Sequence, residues 1–216
     1  GLVAMVMSVG LLISGQQVTA PLDAEARAWV ANTLEAMSVD EQIGQLIAPS
    51  FLSTYTSNDT EEFDALVTLT RDQQVGGFLV FGGRELAPDV LLNPTYGTVT
   101  LGQPLSAASL INRLQAVARV PLLVSSDFEA GVGFRIHGGT VFPRAMAFGA
   151  ASDEQLAYEA GRITAVESLA IGVHVNFAPV VDVNNNARNP VINTRSFGED
   201  PKLVGRLARA YIHGLQ

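Results

Sequence analysis

Four apolar segments, each followed by a stretch of helical periodicity, predict an α/β chain built on a parallel sheet. Two further observations narrow this to the (β/α)8 TIM-barrel type, with about the first four βα units present. No Gly-x-Gly-x-x-Gly follows the first strand, so a dinucleotide-binding doubly wound sheet lacks its fingerprint. Charged residues also collect just past the third and fourth strands: Asp127, Glu129 and Arg135, then Asp182 and Arg195. Barrel enzymes carry their chemistry at that carboxyl-terminal face, and a full barrel takes about 250 residues. A small doubly wound sheet is the alternative.

The elements follow in order. Asp23 to Met37 places Ala26, Val30, Thr33 and Met37 on one helical face, with Trp29 read as packing. Ser38-Val39-Asp40-Glu41 is a capping box. Leu46 to Leu52 reads as the first strand, Thr60 to Gln74 as helix, and Val75 to Phe81 as the second strand, bracketed by glycine pairs that suit turns. Pro88 to Pro104 is a polar insertion without periodicity, and Ser106 caps a helix striped by Leu110, Ile111, Leu114, Val117 and Ala118. Pro121 to Ser126 is a continuous apolar run suited to a strand buried on both faces. Ser152 with Gln155 caps a helix striped by Leu156, Ala160, Ile163, Val166 and Ala170. Val173 to Val181 is the fourth strand, and Pro201 opens a last helix through Leu203, Leu207 and Tyr211.

Composition excludes several function classes. With 48% hydrophobic residues and a mean hydropathy of +0.26, the chain is globular and long enough for a sizeable core. A net charge of -8 offers no basic stripe to neutralise phosphates, which argues against nucleic acid. There are no cysteines, hence no disulfide framework or thiolate metal site, and His137, His174 and His213 lack ligand spacing. No metal or cofactor is expected. Leu2 to Ile13 is a short apolar run followed by polar Ser14-Gly15-Gln16-Gln17 and a cleavage-like Val18-Thr19-Ala20, too short to span a bilayer but suited to a signal-peptide core. Residues 1–20 are therefore expected to be the remnant of an export signal and residues 21–216 the half-barrel. Export to a bacterial periplasm or the extracellular space is expected, with no stable membrane insertion once the signal is removed.

The densest stretch for function runs from Asn176-Phe177-Ala178-Pro179-Val180-Val181-Asp182 to Arg195-Ser196-Phe197-Gly198-Glu199-Asp200-Pro201. An apolar strand leaves through Asp182 into a loop holding Asn184, Asn185, Asn186, Asn189 and Asn193, with Arg188 and Arg195. Such side chains read hydroxyls and carboxylates, and a strand end presents them rigidly. Turn-forming asparagines in an ordinary loop are the plainer reading; the loop's length and charged ending favour a site lining.

Ser126-Asp127-Phe128-Glu129-Ala130-Gly131, Arg135, Gly139-Thr140-Val141-Phe142-Pro143 and Met146-Ala147, together with the stretch just described, resemble the amino-terminal domain of glycoside hydrolase family 3. The likeness covers about Met37 to Gln216. Asn189-Pro190-Val191-Ile192 resembles the β-N-acetylhexosaminidase branch, where the β-glucosidase branch usually carries Trp-Gly-Arg. One departure stands out: the family's usual Glu-Gly-Gly-Arg is here Glu129-Ala130-Gly131-Val132, without the basic residue.

The resemblance implies a retaining glycosidase that removes terminal β-linked N-acetylglucosamine from oligosaccharides or cell-wall fragments. The alternatives are a β-glucosidase or β-xylosidase of the same family, or a non-catalytic sugar-binding module. It assigns Asp127, Arg135 and Arg195 to binding hydroxyls of the terminal sugar, and a carboxylate with two rigid donor forks suits that task. No catalytic residue is expected within this chain: the family's Lys-His-Phe-Pro-Gly-His-Gly motif, proton-transfer pair and nucleophilic aspartate would fall beyond Gln216. The remaining polar residues have structural readings. His174 is expected as a hydrogen-bonded core histidine, Glu167 as the partner of a buried group, and Asn58-Asp59-Thr60 as a helix start instead of a glycosylation triplet.

Overall fold

A computed structural model of the chain describes residues 22–86, 98–100 and 103–216. The expected leader at 1–20 and most of the Pro88–Pro104 insertion lie outside them. Four strands, β1 (Ser50–Leu52), β2 (Gly77–Phe81), β5 (Leu123–Ser126) and β6 (Val175–Asn176), form one parallel sheet in the order β1-β2-β5-β6. Sequence-consecutive units lie side by side with no reversal of order, the arrangement of a barrel wall. A separate antiparallel pair, β3 (Gly83–Leu86) with β4 (Thr98–Thr100), follows β2 directly.

The sheet's two faces differ. Phe51, Phe78, Val80 and Val124 are buried against α4 (Pro104–Val117), which contributes Leu110, Ile111 and Leu114. Phe51 and Phe78 meet edge-to-face at 5.5 Å between ring centroids. On the opposite face Leu52, Leu123 and, one residue past β6, Phe177 are exposed. Side chains alternate across a strand, so this second row is the one a closed barrel would turn inward.

α1 (Ala24–Glu35) and α2 (Val39–Gln45) start where the sequence signals them. Asp23 accepts from Ala26 N–H, and the Ser38/Glu41 capping box has both arms. α1 buries nothing, however, and Trp29 is 53% exposed, so its packing role is overturned among the described residues. Leu46, expected in the first strand, ends α2 at the surface. The helix expected from Thr60 is α3 (Glu61–Val67), capped by Thr60, and it widens into a π-helical turn over Thr68–Asp72. Asn58 Oδ1 accepts from Arg113, in keeping with a structural reading of the Asn58–Thr60 triplet. Gly77 lies inside β2, not in a turn.

Three helix starts correct the sequence reading. α4 begins at Pro104, so Ser106 is internal. A short helix, α5 (Ala145–Ala151), was not anticipated. Ser152 closes it in a left-handed conformation, and Asp153 instead caps α6 (Glu154–Ala170), accepting from the Gln155 and Leu156 N–H groups.

The face that α6 buries also differs from expectation. Ala157, Ala160, Gly161, Thr164 and Ser168 face inward, whereas Leu156, Val166 and Leu169 are exposed. The cause is α7 (Pro201–Leu215), which approaches so closely that only small residues fit. A Cβ on Gly161 would stand 2.2 Å from Tyr211 O, and one on Gly214 2.0 Å from Tyr158 O. Val204, Leu207, Ala208 and Tyr211 of α7 complete this second core, with Phe197.

Gly161→Val is therefore expected to destabilise the fold by about 1–3 kcal/mol through overpacking. Gly205→Ala, in open space on α7, should stabilise it by up to about 1 kcal/mol through helix propensity. Urea denaturation of both variants checks the pair.

Candidate substrate-binding site

The site is built at the carboxyl-terminal ends of β5 and β6. β5 ends at Ser126, whose hydroxyl is buried and donates to Val80 O at 2.9 Å. The chain then turns sharply: Glu129 N–H donates to Asp127 O at 2.8 Å, with the fully buried Phe128 at the apex. The two carboxylates flanking Phe128 reach different arginines.

Asp127 takes a two-pronged bond from Arg135, whose Nε lies 2.7 Å from Oδ1 while Nη2 reaches Oδ2. The guanidinium is also held over aromatic faces, 4.5 Å from the Phe134 ring centroid and 5.2 Å from that of Phe81. Glu129, with a side chain only 11% exposed, takes a second fork from Arg195, Nε at 2.9 Å and Nη2 at 2.7 Å. Arg144 approaches the same carboxylate at 3.6 Å and lies over the Phe134 ring at 4.8 Å. The Glu129 carboxylate holds the Arg195 guanidinium above its ordinary pKa, with smaller help from Asp182 and Asp127, so it is a permanent cation.

Asp127, Arg135 and Arg195 thus come together on one rim, although Arg195 arrives from the loop after β6. Two further members are Glu129, which the sequence placed in the strand-end cluster without a binding role, and Arg144, which it left out. The role of Glu129 was not visible in the sequence, because its partner lies 66 residues away. Glu129, Arg144 and Arg195 line a cleft with Phe148, Pro179 and Tyr211.

Local devices hold the two loops. In the first, Gly131 adopts φ +83°, and a Cβ there would stand 2.4 Å from Thr140 O. The segment is stitched to itself by Gly133 N–H to Thr140 O and Phe142 N–H to Ala130 O, at 2.9 and 2.8 Å. Glu167 on α6 accepts from both the Thr140 N–H and its hydroxyl; this partner is half-buried, where a buried one was expected. In the second loop, Ser196 Oγ lies 2.6 Å from Asp182 O and accepts from Gly198 N–H, closing the neck. Asn186 and Asn189 accept from backbone N–H groups two or three residues on, so these two follow the plainer turn reading. His174 is not in the core: it is exposed, with Nδ1 3.4 Å from Val124 N. Among the described residues no group of three histidines or acidic residues converges as metal ligands, and no helix is long and apolar enough to cross a membrane.

The profile described as the glycosyl hydrolase family 3 N terminal domain matches residues 38–216. This chain belongs to glycoside hydrolase family 3. It is 33% identical over 195 residues to a β-N-acetylglucosaminidase/β-glucosidase of Cellulomonas fimi, covering 90% of this chain and 30% of that protein. It is 38% identical over 118 residues to β-hexosaminidase A of Pseudoalteromonas piscicida, covering 50% of this chain and 20% of that one. A solved family 3 β-N-acetylglucosaminidase from a Paenibacillus species superposes with a TM-score of 0.68 at 36% identity, over 84% of this chain and 31% of its own. The chain thus spans less than a third of the length of these relatives. Family membership gives the four units a TIM-barrel type fold.

Because the Glu129–Arg195 fork ties two distant loops, Glu129→Ala should lower stability by about 1.5–3 kcal/mol, the scale of charged hydrogen bonds. A double-mutant cycle with Arg195→Ala, read by urea denaturation, should show most of that loss as coupling between the two residues.

Proposed function

We propose that the full protein is an exported retaining glycosidase that removes terminal β-linked N-acetylglucosamine from oligosaccharides or cell-wall fragments. Asp127, Arg135 and Arg195 bind the terminal sugar. The observation that carries the reading is the rim constellation itself, a carboxylate and two fixed guanidinium forks at strand ends of a family 3 domain. Relatives named for hexosaminidase activity support the sugar class.

The chemistry fits such a ligand. A carboxylate has about four lone-pair sites, so Asp127 can hold Arg135 and still accept from sugar hydroxyls. Clamping adjacent hydroxyls fixes the ring relative to the scissile bond, and orientation of that kind supplies much of an enzyme's advantage. Retaining hydrolysis also needs a nucleophile and an acid/base group. In this reading both are supplied by residues beyond Gln216, and Asp127 and Glu129, each paired with arginine, take neither role. A β-glucosidase reading is the second one, because the Cellulomonas fimi relative carries both activities in its name.

The test uses the full-length protein with p-nitrophenyl N-acetyl-β-glucosaminide and the matching β-glucoside. The first should be the better substrate by kcat/KM; a clear preference for the second transfers the assignment to β-glucosidase. Asp127→Ala also frees the Arg135 fork and should lower Tm, so activity is read per folded molecule, where kcat/KM should fall by roughly 30- to 1000-fold, the kinetic equivalent of losing about 2–4 kcal/mol of charged hydrogen bonding. Near-normal kcat/KM per folded molecule would end the sugar-binding role. Arg195→Lys should also be damaging, since a point charge cannot replace a planar fork. The 216-residue chain alone should show no turnover.

A further inference from the structure

We infer that Asn176 is a positioning residue for Asp127, acting through the turn at Phe128; the inference rests on the sugar-binding reading of Asp127. The β5–β6 pairing ends at Ser126 and Asn176, with one more backbone bond from Phe177 N–H to Ser126 O at 2.8 Å. Beyond it the two chains part. β5 enters the tight turn in which Glu129 N–H donates to Asp127 O, and such a turn uses the groups on either side of its apex, leaving the apex N–H outside. That N–H belongs to Phe128, whose side chain is fully buried, so water cannot serve as its acceptor.

Asn176 supplies the acceptor: its Oδ1 lies 2.8 Å from Phe128 N. A side chain of β6 thus replaces the backbone bond that the parting strands cannot make. The turn is fixed with Asp127 toward Arg135 and Glu129 toward Arg195.

The opposite end of the amide explains why this is a positioning device and not filler. Asn176 Nδ2 is buried and makes no hydrogen bond of good geometry among the described residues, although the amide is close enough to the Tyr211 hydroxyl to lower that phenol's pKa against the larger upward push of burial. It lies on the side of Tyr211, a phenol held above its ordinary pKa chiefly by burial, whose hydroxyl is 3.4 Å from Thr164 Oγ1. An apolar residue would fill this place at less cost, because a buried amide donor without a well-formed bond is unfavourable. What the asparagine contributes is the carbonyl.

The experiment uses the full-length enzyme and compares Asn176→Leu, which keeps the volume and removes the acceptor, with Asn176→Asp, which keeps an acceptor. Activity is expressed per folded molecule. Asn176→Leu is expected to lower kcat/KM roughly 30-fold, the kinetic scale of leaving one buried N–H unpaired, and Asn176→Asp should recover most of it. In an Asp127→Ala background the same Asn176→Leu change should have little further effect, because its route to the substrate is gone. If Asn176→Leu fails to fold, Asn176→Ser, too short to reach Phe128 N–H, is read in the same cycle. A full-size Asn176 effect in the Asp127→Ala background, or a normal kcat/KM without the acceptor, overturns the inference alone. A wild-type enzyme inactive on both aryl glycosides overturns the glycosidase reading and this inference with it.

Discussion

The two-pronged pairing of Glu129 with Arg195 is the constraint on which the rim depends, because it joins loops from different βα units. Nothing local forces residues 66 positions apart to meet. The parallel sheet brings the two strand ends side by side, and the fork then fixes their loops. The pair is only partly shielded, with 31% of the arginine side chain and 11% of the glutamate exposed. Full burial would carry a desolvation penalty that could exceed the attraction, and full exposure would leave little net attraction. An intermediate position with two parallel N–H···O bonds is where such a pair is most useful. A third bond, from Arg195 Nη1 to Val191 O at 3.2 Å, ties the arginine to its own loop as well. Arg195 therefore braces both loops, with its donors largely used within the protein, whereas Asp127, at the turn beside Arg135, has acceptor capacity left.

The rim is only as rigid as the layer beneath it. Phe51, Phe78, Val80 and Val124 lock the strands to α4, and the glycine contacts lock α6 to α7. The first loop is fastened to α6 through Glu167 and Thr140, and the second to α7 through the buried Phe197. Each loop that bears a charged fork is thus anchored in the helical layer, while the row of Leu52, Leu123 and Phe177 on the other face of the sheet carries none of these anchors.

Much of this was legible in the sequence, for physical reasons that also mark the limit. Strands of a parallel sheet are buried on the helix side and read as apolar runs, so all four were found. Their ends were overextended, because β6 has hydrogen-bonded neighbours on one side only and its ladder stops at Asn176. Asp127, Arg135 and Arg195 were legible because they sit in ordered motifs at strand ends. Glu129 stood in the same motif, but its role and that of Arg144 were not legible, since both lie in a long-range pairing that no local window contains. The face of α6 was misread for a related reason. Hydrophobic periodicity favours Leu156 and Val166, but the close approach of α7 selects small residues and leaves those larger ones in water. The Ser152 cap failed by one residue, because a left-handed end to α5 moves the next helix start to Asp153.

The departure at position 132 shows how such a rim tolerates a lost charge. Where the family pattern carries arginine, Val132 is 2% exposed and belongs to the same core as Phe128 and Ile136. Its side chain occupies the space that a Cβ on Gly139 would enter, at 2.8 Å, so this position now contributes packing to the loop. The positive charge around the two carboxylates comes instead from both sides of the segment: Arg135 on Asp127, and Arg144 beside Arg195 on Glu129. Phe134 lies under both Arg135 and Arg144 and fixes their planes. Guanidiniums reach several ångströms from their Cα atoms, so the electrostatics of the rim depend on where the forks end and not on which position they start from. A valine that tightens the loop core and arginines that converge from 135, 144 and 195 therefore give a neutralised, ordered rim without a basic residue at 132.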